Sequence, residues 1–223
     1  ATADYDAAML LVRNARWLAA ADQLTDFRNR YPDSEFQDEV TLNLATAWRE
    51  AGNPTAAADE LVNVSRLASE SPELRRTALW EAAETFVEAG ETDRARAVWA
   101  EYVERYPTPL EPAMEARQSL ADMAADAGDL VAERRWLEHI VTADAAAGEA
   151  GTTRTHTLAA RALLELARPD FEAFESVALT VPLAQSLQHK KSLMEAALSG
   201  FGRAADYGIT DVTTEATFVI GQV

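Results

Sequence analysis

The residue types that carry out most protein chemistry are few in this chain and far apart. Its 223 residues include no cysteine, which excludes disulfides, thiolate catalysis and cysteine-ligated metals. The three histidines, His139, His156 and His189, are too scattered for a local ligand motif such as two histidines four residues apart. We therefore expect surface or interhelical histidines, no metal site and no cofactor.

Carboxylates are abundant, and some lie three or four residues apart, such as Glu81 with Glu84 and Asp122 with Asp126. Two carboxylates can serve as general acid and base, but pairs on an exposed helical face are usually solvated charge. There is no phosphate-binding loop, dinucleotide-binding glycine pattern or nucleophile elbow, and the Gly-Phe-Gly run from Gly200 is at most a helix-end feature. The sequence predicts no catalytic residue and a protein that is not an enzyme.

Charge and composition narrow the partner class. The 37 acidic and 20 basic side chains give a net charge of −17, whereas nucleic acids and anionic membranes attract clustered lysine and arginine. No apolar run approaches the roughly 20 residues that a membrane-spanning helix needs. Alanine, leucine, glutamate and arginine, which are strong helix formers, dominate the chain. We therefore predict an all-α protein with no nucleic-acid partner and no membrane span.

The helices are organised by an internal repeat. Four ten-residue segments align without gaps, and successive copies begin 37, 38 and 38 residues apart. The segments begin at Ala15, Gly52, Gly90 and Gly128. Seven residues earlier lies a small residue, namely Ala8, Ala45, Ala83 and Ala121. Nine residues after the start lies a large apolar residue, namely Leu24, Leu61, Trp99 and Leu137, and three further on come Phe27, Val64, Tyr102 and Ile140.

Each copy predicts a helical hairpin. The small residue lets two helices approach, the glycine ends the first helix, and the large residues form the buried stripe of the second helix. Two copies end in Tyr-Pro, at Tyr31-Pro32 and Tyr106-Pro107, and a proline stops a helix.

This pattern resembles the tetratricopeptide repeat. The matching positions are the small residue of the first helix, the turn glycine, the small residue of the second helix (Ala20, Ala57, Ala95) and the closing proline. In copy four, Glu133 stands at the position of the small residue of the second helix, and the closing proline is missing. In copy one, Ala15 stands in place of the turn glycine. The resemblance covers Asp4–Ala147 and implies an α-solenoid of antiparallel helical hairpins that form a right-handed superhelix.

The long period and the run Phe27–Ser34 look more like bacterial cell-envelope members of this family than like eukaryotic arrays of about 34-residue repeats. BamD-like lipoproteins and the TolA-binding division coordinator are the members that the chain most resembles. The resemblance implies a periplasmic or envelope-associated scaffold, with the cytoplasm as the alternative location.

The predicted organisation is four repeats followed by a degenerate region. The repeats span about 1–34, 35–71, 72–108 and 109–147. In residues 148–223 we expect helices at Arg154–Ala167 and Phe171–Thr180 separated by a turn at Arg168–Asp170, a long helix at Leu183–Asp206, and a last helix from Thr213. The last helix ends in mid-pattern, and we therefore expect the natural protein to continue beyond it.

The first helices of such hairpins line a concave face, where repeat proteins commonly bind their ligands. Repeat phase places nine residues on this face: Tyr5, Met9, Leu42, Thr46, Arg49, Trp80, Glu84, Gln118 and Asp122. Aromatic side chains are typical interface anchors, and the carboxylates favour a basic or amide-rich ligand. The alternative for the apolar and aromatic members is that they pack between hairpins.

These features predict a non-catalytic scaffold that holds a protein or peptide segment in its groove within a larger assembly. The alternative is a structural spacer or self-association segment whose groove stays empty. An apolar patch at either end of the solenoid rather than in the groove would favour that alternative.

Overall fold

The computed structural model describes residues 1–223, which form eleven α-helices, one short 3₁₀-helix and no strand. The all-α prediction is therefore confirmed. The helices are α1 (Thr2–Arg13), α2 (Trp17–Arg30), α3 (Gln37–Glu50), α4 (Pro54–Val64), α5 (Pro72–Glu88), α6 (Thr92–Arg105), α7 (Leu110–Asp126), α8 (Leu130–Ala145), α9 (Thr153–Ser176), α10 (Leu183–Ala205) and α11 (Thr210–Ile220).

The chain divides into two compact units, residues 1–106 and residues 107–223. The first unit consists of the hairpins α1–α2, α3–α4 and α5–α6, and the second of α7–α8, α9–α10 and the final helix α11. The division that we predict between residues 147 and 148 falls inside the second unit.

The four repeat starts all lie at the hairpin turns in the left-handed backbone region. The φ angles are 52° at Ala15, 77° at Gly52, 75° at Gly90 and 69° at Gly128. In each hairpin the residue after this position donates its N–H to the carbonyl five residues back, for example Arg16 to Leu11. This hydrogen bond satisfies a carbonyl that the end of the first helix would otherwise leave free. Ala15 therefore adopts the glycine conformation although it has a Cβ.

Small residues face the partner helix inside every hairpin. All four alanines of the first helices and the three of the second helices that the repeat alignment marks are buried. Large side chains fill the remaining space: Trp99 and Tyr102 of α6 are buried, and Trp80 of α5 packs edge-on against them with ring centroids 4.6 and 5.2 Å away. The stripe predicted from spacing is thus the packed face of the second helices.

In the first unit, polar ties join the second helices of neighbouring hairpins. Arg28 of α2 is 2.7 Å from the buried carboxylate of Glu60 in α4, and Arg66, just beyond α4, is 3.0 Å from Glu101 in α6. No hydrogen bond or ion pair joins the first helices α3 and α5. Polar contacts therefore join the hairpins α3–α4 and α5–α6 on the side of the second helices, and the space between α3 and α5 stays open.

The predicted turn at Arg168–Asp170 is wrong, because α9 runs unbroken through Pro169 to Ser176. A proline inside a helix costs about 3 kcal/mol through the lost N–H donor and its steric clash. Residues on both sides of Pro169 contact other helices: Phe171 lies edge-on to Phe201 of α10, and Arg168 pairs with Glu215 of α11 at 3.0 Å. The two helices expected at Arg154–Ala167 and Phe171–Thr180 are therefore one helix, α9. It packs against α10, which agrees with the long helix expected at Leu183–Asp206.

Gly200 lies within α10 rather than at a helix end, which corrects our expectation from the sequence. A Cβ at this position would be only 2.6 Å from the Cβ of Ala167 in α9. Gly202, two residues on, has nothing within 4 Å of such a Cβ. Gly200 is therefore the small residue that allows the close approach of α9 and α10.

The turn geometry predicts that Ala15→Gly raises the free energy of unfolding by about 1 kcal/mol, because glycine adopts a positive φ without a Cβ clash. Urea denaturation followed by circular dichroism measures the change. The control is Ala7→Gly, at an exposed position inside α1, which should lower the same free energy by about 0.5–1 kcal/mol. Losses of equal size in both variants would contradict the assignment of strain to Ala15.

The helix packing predicts opposite effects for two alanine substitutions in α10. Gly200→Ala should lower the free energy of unfolding by about 1–3 kcal/mol, because the added methyl group overpacks the contact with Ala167. Gly202→Ala should raise it by about 0.5–1 kcal/mol, because alanine is the better helix former and the site has room. Thermal and urea denaturation of the pair measure both effects, and a stabilising Gly200→Ala would refute the close approach.

Candidate functional site

An open groove lies in the first unit between α3 and α5, with α4 as its floor. It encloses about 390 Å³. Its floor is mainly apolar and includes Ala57, Leu61 and Val64 of α4, and Ala45 of α3 and Ala78 of α5 flank it. We call this space the first groove.

One wall of the first groove is acidic. Glu81, Glu84 and Glu88 recur at spacings of three and four residues, so that they share one face of α5, and all three line the groove. They are exposed, and none takes part in an ion pair or a side-chain hydrogen bond. Arg49 of α3 is the one cation among the lining residues, and its nearest carboxylate is its neighbour Glu50, at 3.7 Å. The groove therefore carries uncompensated negative charge beside an apolar floor.

A second groove of about 640 Å³ lies in the second unit, lined by α7, α8, α9 and α11. Its charges are largely paired: Arg161 of α9 is 2.8 Å from Asp211 of α11, and Arg154 of α9 pairs with Glu115 of α7. The hydrogen bond from Arg161 holds the pKa of Asp211 below its usual value. Side chains that already bind each other across a groove offer less to a ligand, and this second groove is therefore the weaker candidate.

The structure brings six of the nine predicted residues into these two grooves. Leu42, Thr46, Arg49 and Glu84 line the first groove. Gln118 and Asp122 line the second, where the Gln118 side-chain amide donates to Asp122 Oδ1 at 2.7 Å.

The other three predicted residues, Tyr5, Met9 and Trp80, line neither groove. The Tyr5 ring is buried and stacks on Phe36 at 4.3 Å, and its hydroxyl donates to Glu39. Burial together with this hydrogen bond raises the pKa of Tyr5 to about 12. Met9 packs against the same core. Tyr5 and Met9 therefore pack against neighbouring helices, as Trp80 does against Trp99, and this is the alternative to a place on the concave face.

Sequence reasoning did not assign to the site two carboxylates, Glu81 and Glu88, or the floor residues Leu61 and Val64. A signal for the carboxylates is present in the sequence, because spacings of three and four residues from Glu84 predict a shared helix face. Leu61 and Val64 were recognised as part of the buried stripe. Leu61 is partly exposed at the groove floor and Val64 is buried beneath it, and this exposure depends on the separation of α3 and α5, which the repeat pattern does not specify.

A polar cluster in the second unit joins three elements through Asp144. The Asp144 carboxylate is buried, lies 3.0 Å from His156 Nδ1, and accepts a hydrogen bond of 2.9 Å from the Tyr207 hydroxyl. Burial and this hydrogen bond raise the pKa of Tyr207 to about 12. The cluster lacks the nucleophile of a Ser–His–Asp arrangement, because no serine or threonine hydroxyl is hydrogen-bonded to His156. Gly151 lies against the His156 ring. The cluster ties the end of α8 to the start of α9 and to the α10–α11 turn.

Neither of the other two histidines belongs to a potential metal site. His139 is exposed and lies edge-on to Trp136, and His189 is exposed on α10. No group of three or more histidine, aspartate or glutamate side chains has a geometry suited to a metal ion. No helix is both long enough and apolar enough to cross a bilayer.

Comparison with known proteins finds similarity in part of the sequence and in the fold. Residues 77–109, which contain most of the third hairpin, match the profile of the tetratricopeptide repeat family. No curated protein matches the chain in sequence. The fold is similar to that of a TPR repeats protein from Bacteroides fragilis, with 10% identity, a TM-score of 0.64, and coverage of 100% of this chain and 98% of the other.

A tetratricopeptide repeat protein from Parabacteroides merdae is a second match, with 13% identity, a TM-score of 0.40 and coverage of 98% of both chains. The third hairpin thus has the sequence of a tetratricopeptide repeat, and the whole chain has an all-α repeat fold similar to that of the Bacteroides fragilis TPR repeats protein.

Proposed function

We propose that this chain is a non-catalytic scaffold that holds a basic segment of another protein in the first groove. The observation that carries the proposal is the row of unpaired carboxylates, Glu81, Glu84 and Glu88, beside the apolar floor of that groove. Tetratricopeptide-type repeats typically mediate protein–protein interaction, which supports the same class of function.

The groove suits a segment that presents both apolar and cationic side chains. Apolar side chains lose contact with water against Leu61 and Val64, while lysine or arginine side chains approach the wall formed by α5. Because the groove is built on packed helices, little of the receptor needs to become ordered on binding, and this lowers the entropic cost. Arg49 on the opposite wall offers one cation to a carbonyl or carboxylate of the same segment.

We further propose a place for this scaffold in a cell-envelope assembly, in the periplasm rather than the cytoplasm. The support is the resemblance of the repeat period and of the run Phe27–Ser34 to bacterial cell-envelope repeat proteins. Immunodetection in periplasmic and cytoplasmic fractions of the source cells tests the location, and recovery in the cytoplasmic fraction would refute it.

The groove proposal predicts that the variant Glu81→Gln, Glu84→Gln, Glu88→Gln loses affinity for a basic peptide. The probe is a fluorescent 16-residue peptide of lysine, leucine and alanine, and a second peptide has glutamate in place of lysine. Exposed ion pairs contribute up to about 1 kcal/mol each, so that three lost carboxylates weaken binding roughly tenfold or more at low salt. Fluorescence anisotropy at low and high salt measures the affinities.

The matched control is Asp22→Asn, Asp26→Asn, Asp33→Asn, which changes the net charge equally at exposed carboxylates outside the groove. The proposal requires that this control bind the basic peptide as wild type does and that the glutamate peptide bind neither protein. Equal loss in both triple variants would show that only net charge matters. Full affinity in the groove variant would reject the groove and favour the spacer alternative.

A further inference from the structure

The exposed apolar side chains of this protein are concentrated in one short segment. Four of the eleven large apolar side chains that are exposed lie within nine residues: Leu179, Val181, Leu183 and Leu187. Val181 is 95% exposed, and each of the others is more than half exposed. Isolated exposed leucines are common on protein surfaces, but a cluster of this density typically marks an interaction surface.

The segment is held in place by its own hydrogen bonds. The Ser186 hydroxyl of α10 donates to the Thr180 carbonyl at 2.7 Å and accepts from the Thr180 N–H at 3.1 Å. One turn later, Lys190 Nζ donates to the Val177 carbonyl at 3.0 Å and lies 4.8 Å from the centroid of the Phe174 ring. These contacts lay the connector between α9 and α10 along the first two turns of α10.

Leu183 and Leu187 are one helical turn apart and therefore lie on the same side of α10. Ser186 and Lys190, which bind the connector, lie on the adjacent side of the same helix. The exposed apolar side chains of α10 and of the connector are therefore neighbours on the surface. We call residues 176–188 the connector face. Its exposed apolar side chains belong to an ordered surface.

The connector face is also the longest stretch of the sequence without charge. Residues 176–188 contain no acidic, basic or histidine side chain, in a chain whose net charge is −17. Two copies of such a chain repel each other, and the repulsion is strongest where their carboxylates come together. An uncharged apolar face is the part of this surface where two copies meet with the smallest electrostatic cost.

We propose that the connector face is the contact through which two copies of this chain pair across a twofold axis. A twofold contact places the same patch of both subunits together and thus needs a self-complementary surface, which an uncharged apolar patch provides. A second copy is the partner for which the absence of carboxylates matters most, because it carries the same net charge of −17.

An anionic lipid surface suits this face less well. Binding to lipid headgroups depends on free lysine and arginine side chains. Lys190 is committed to the Val177 carbonyl, and Lys191 lies 3.6 Å from Glu195. The chain has no other lysine.

The pairing also does not depend on what the first groove binds, since that groove is built from the first unit alone.

Sedimentation velocity over a range of concentrations tests the pairing. We expect wild type to move from monomer to dimer with a dissociation constant on the order of tens of micromolar, because the 13 residues of the face are fewer than the roughly 20–30 residues a side of a standard interface. Added salt should strengthen the dimer, because it screens the repulsion between two negative chains while apolar contact persists. Val181→Asp and Leu187→Asp should each weaken the dimer at least tenfold.

The matched control is Leu18→Asp, at a leucine of α2 that is 61% exposed, which should dimerise as wild type does. Because the chain has no cysteine, Val181→Cys supplies a single thiol for a second measurement. Mild oxidation should give a disulfide-linked dimer from Val181→Cys but not from Leu18→Cys. Circular dichroism checks that each variant remains folded.

Three results would overturn the proposal. One is a monomer at every concentration and salt level. Another is a dimer that Val181→Asp and Leu18→Asp affect equally. The third is flotation of wild type with phosphatidylglycerol vesicles, lost in Val181→Asp, from a protein that stays monomeric in solution; this result would assign the face to a lipid surface.

Discussion

Close approach of helices through small side chains is the constraint on which the rest of this structure depends. Of the 42 buried apolar residues, 22 are alanine, and Gly200 against Ala167 is the extreme case. A hairpin packed at this distance leaves room for large side chains only on either side of the contact, where Leu24, Trp99 and Leu137 lie. The position of the small residue thus sets the rotation of each helix and, with it, the residues that face solvent.

The first groove follows from that rotation. Ion pairs such as that of Arg28 with Glu60 tie neighbouring hairpins along the second helices, while α3 and α5 have no polar tie. Carboxylates on the open face of α5 therefore remain unpaired and available to a ligand. In the second unit, α11 packs beside α9 and supplies Asp211 and Glu215 as partners for its arginines. The additional helix α11 thus pairs with arginines of α9 across the second groove, whereas no helix supplies partners for the carboxylates of the first groove.

Repeat phase in the sequence predicts the hairpins, their turns and the buried stripes, because these depend on the identity of one residue at a fixed position. It also places Ala15 at the turn position that glycine occupies in the other copies, and the φ of 52° at Ala15 confirms this placement. It fails where tertiary packing outweighs a local preference, as at Pro169. The site was predictable in part: phase assigns a helix face, but each residue turns the helix by about 100°. A shift of one position therefore separates an exposed Glu84 from a buried Ala83.

Charge has different consequences for the two surfaces. The proposed binding of a cationic segment in the first groove depends on the carboxylates that make the whole chain repel its copies, whereas the proposed pairing uses the connector face because it lacks them. The two proposals therefore require opposite responses to added salt, a weaker groove complex and a stronger pair. A pair of chains presents two first grooves, and a partner with two basic segments that can reach both gains effective concentration on its second contact. Pairing would then raise avidity for such a partner without any change in the groove itself.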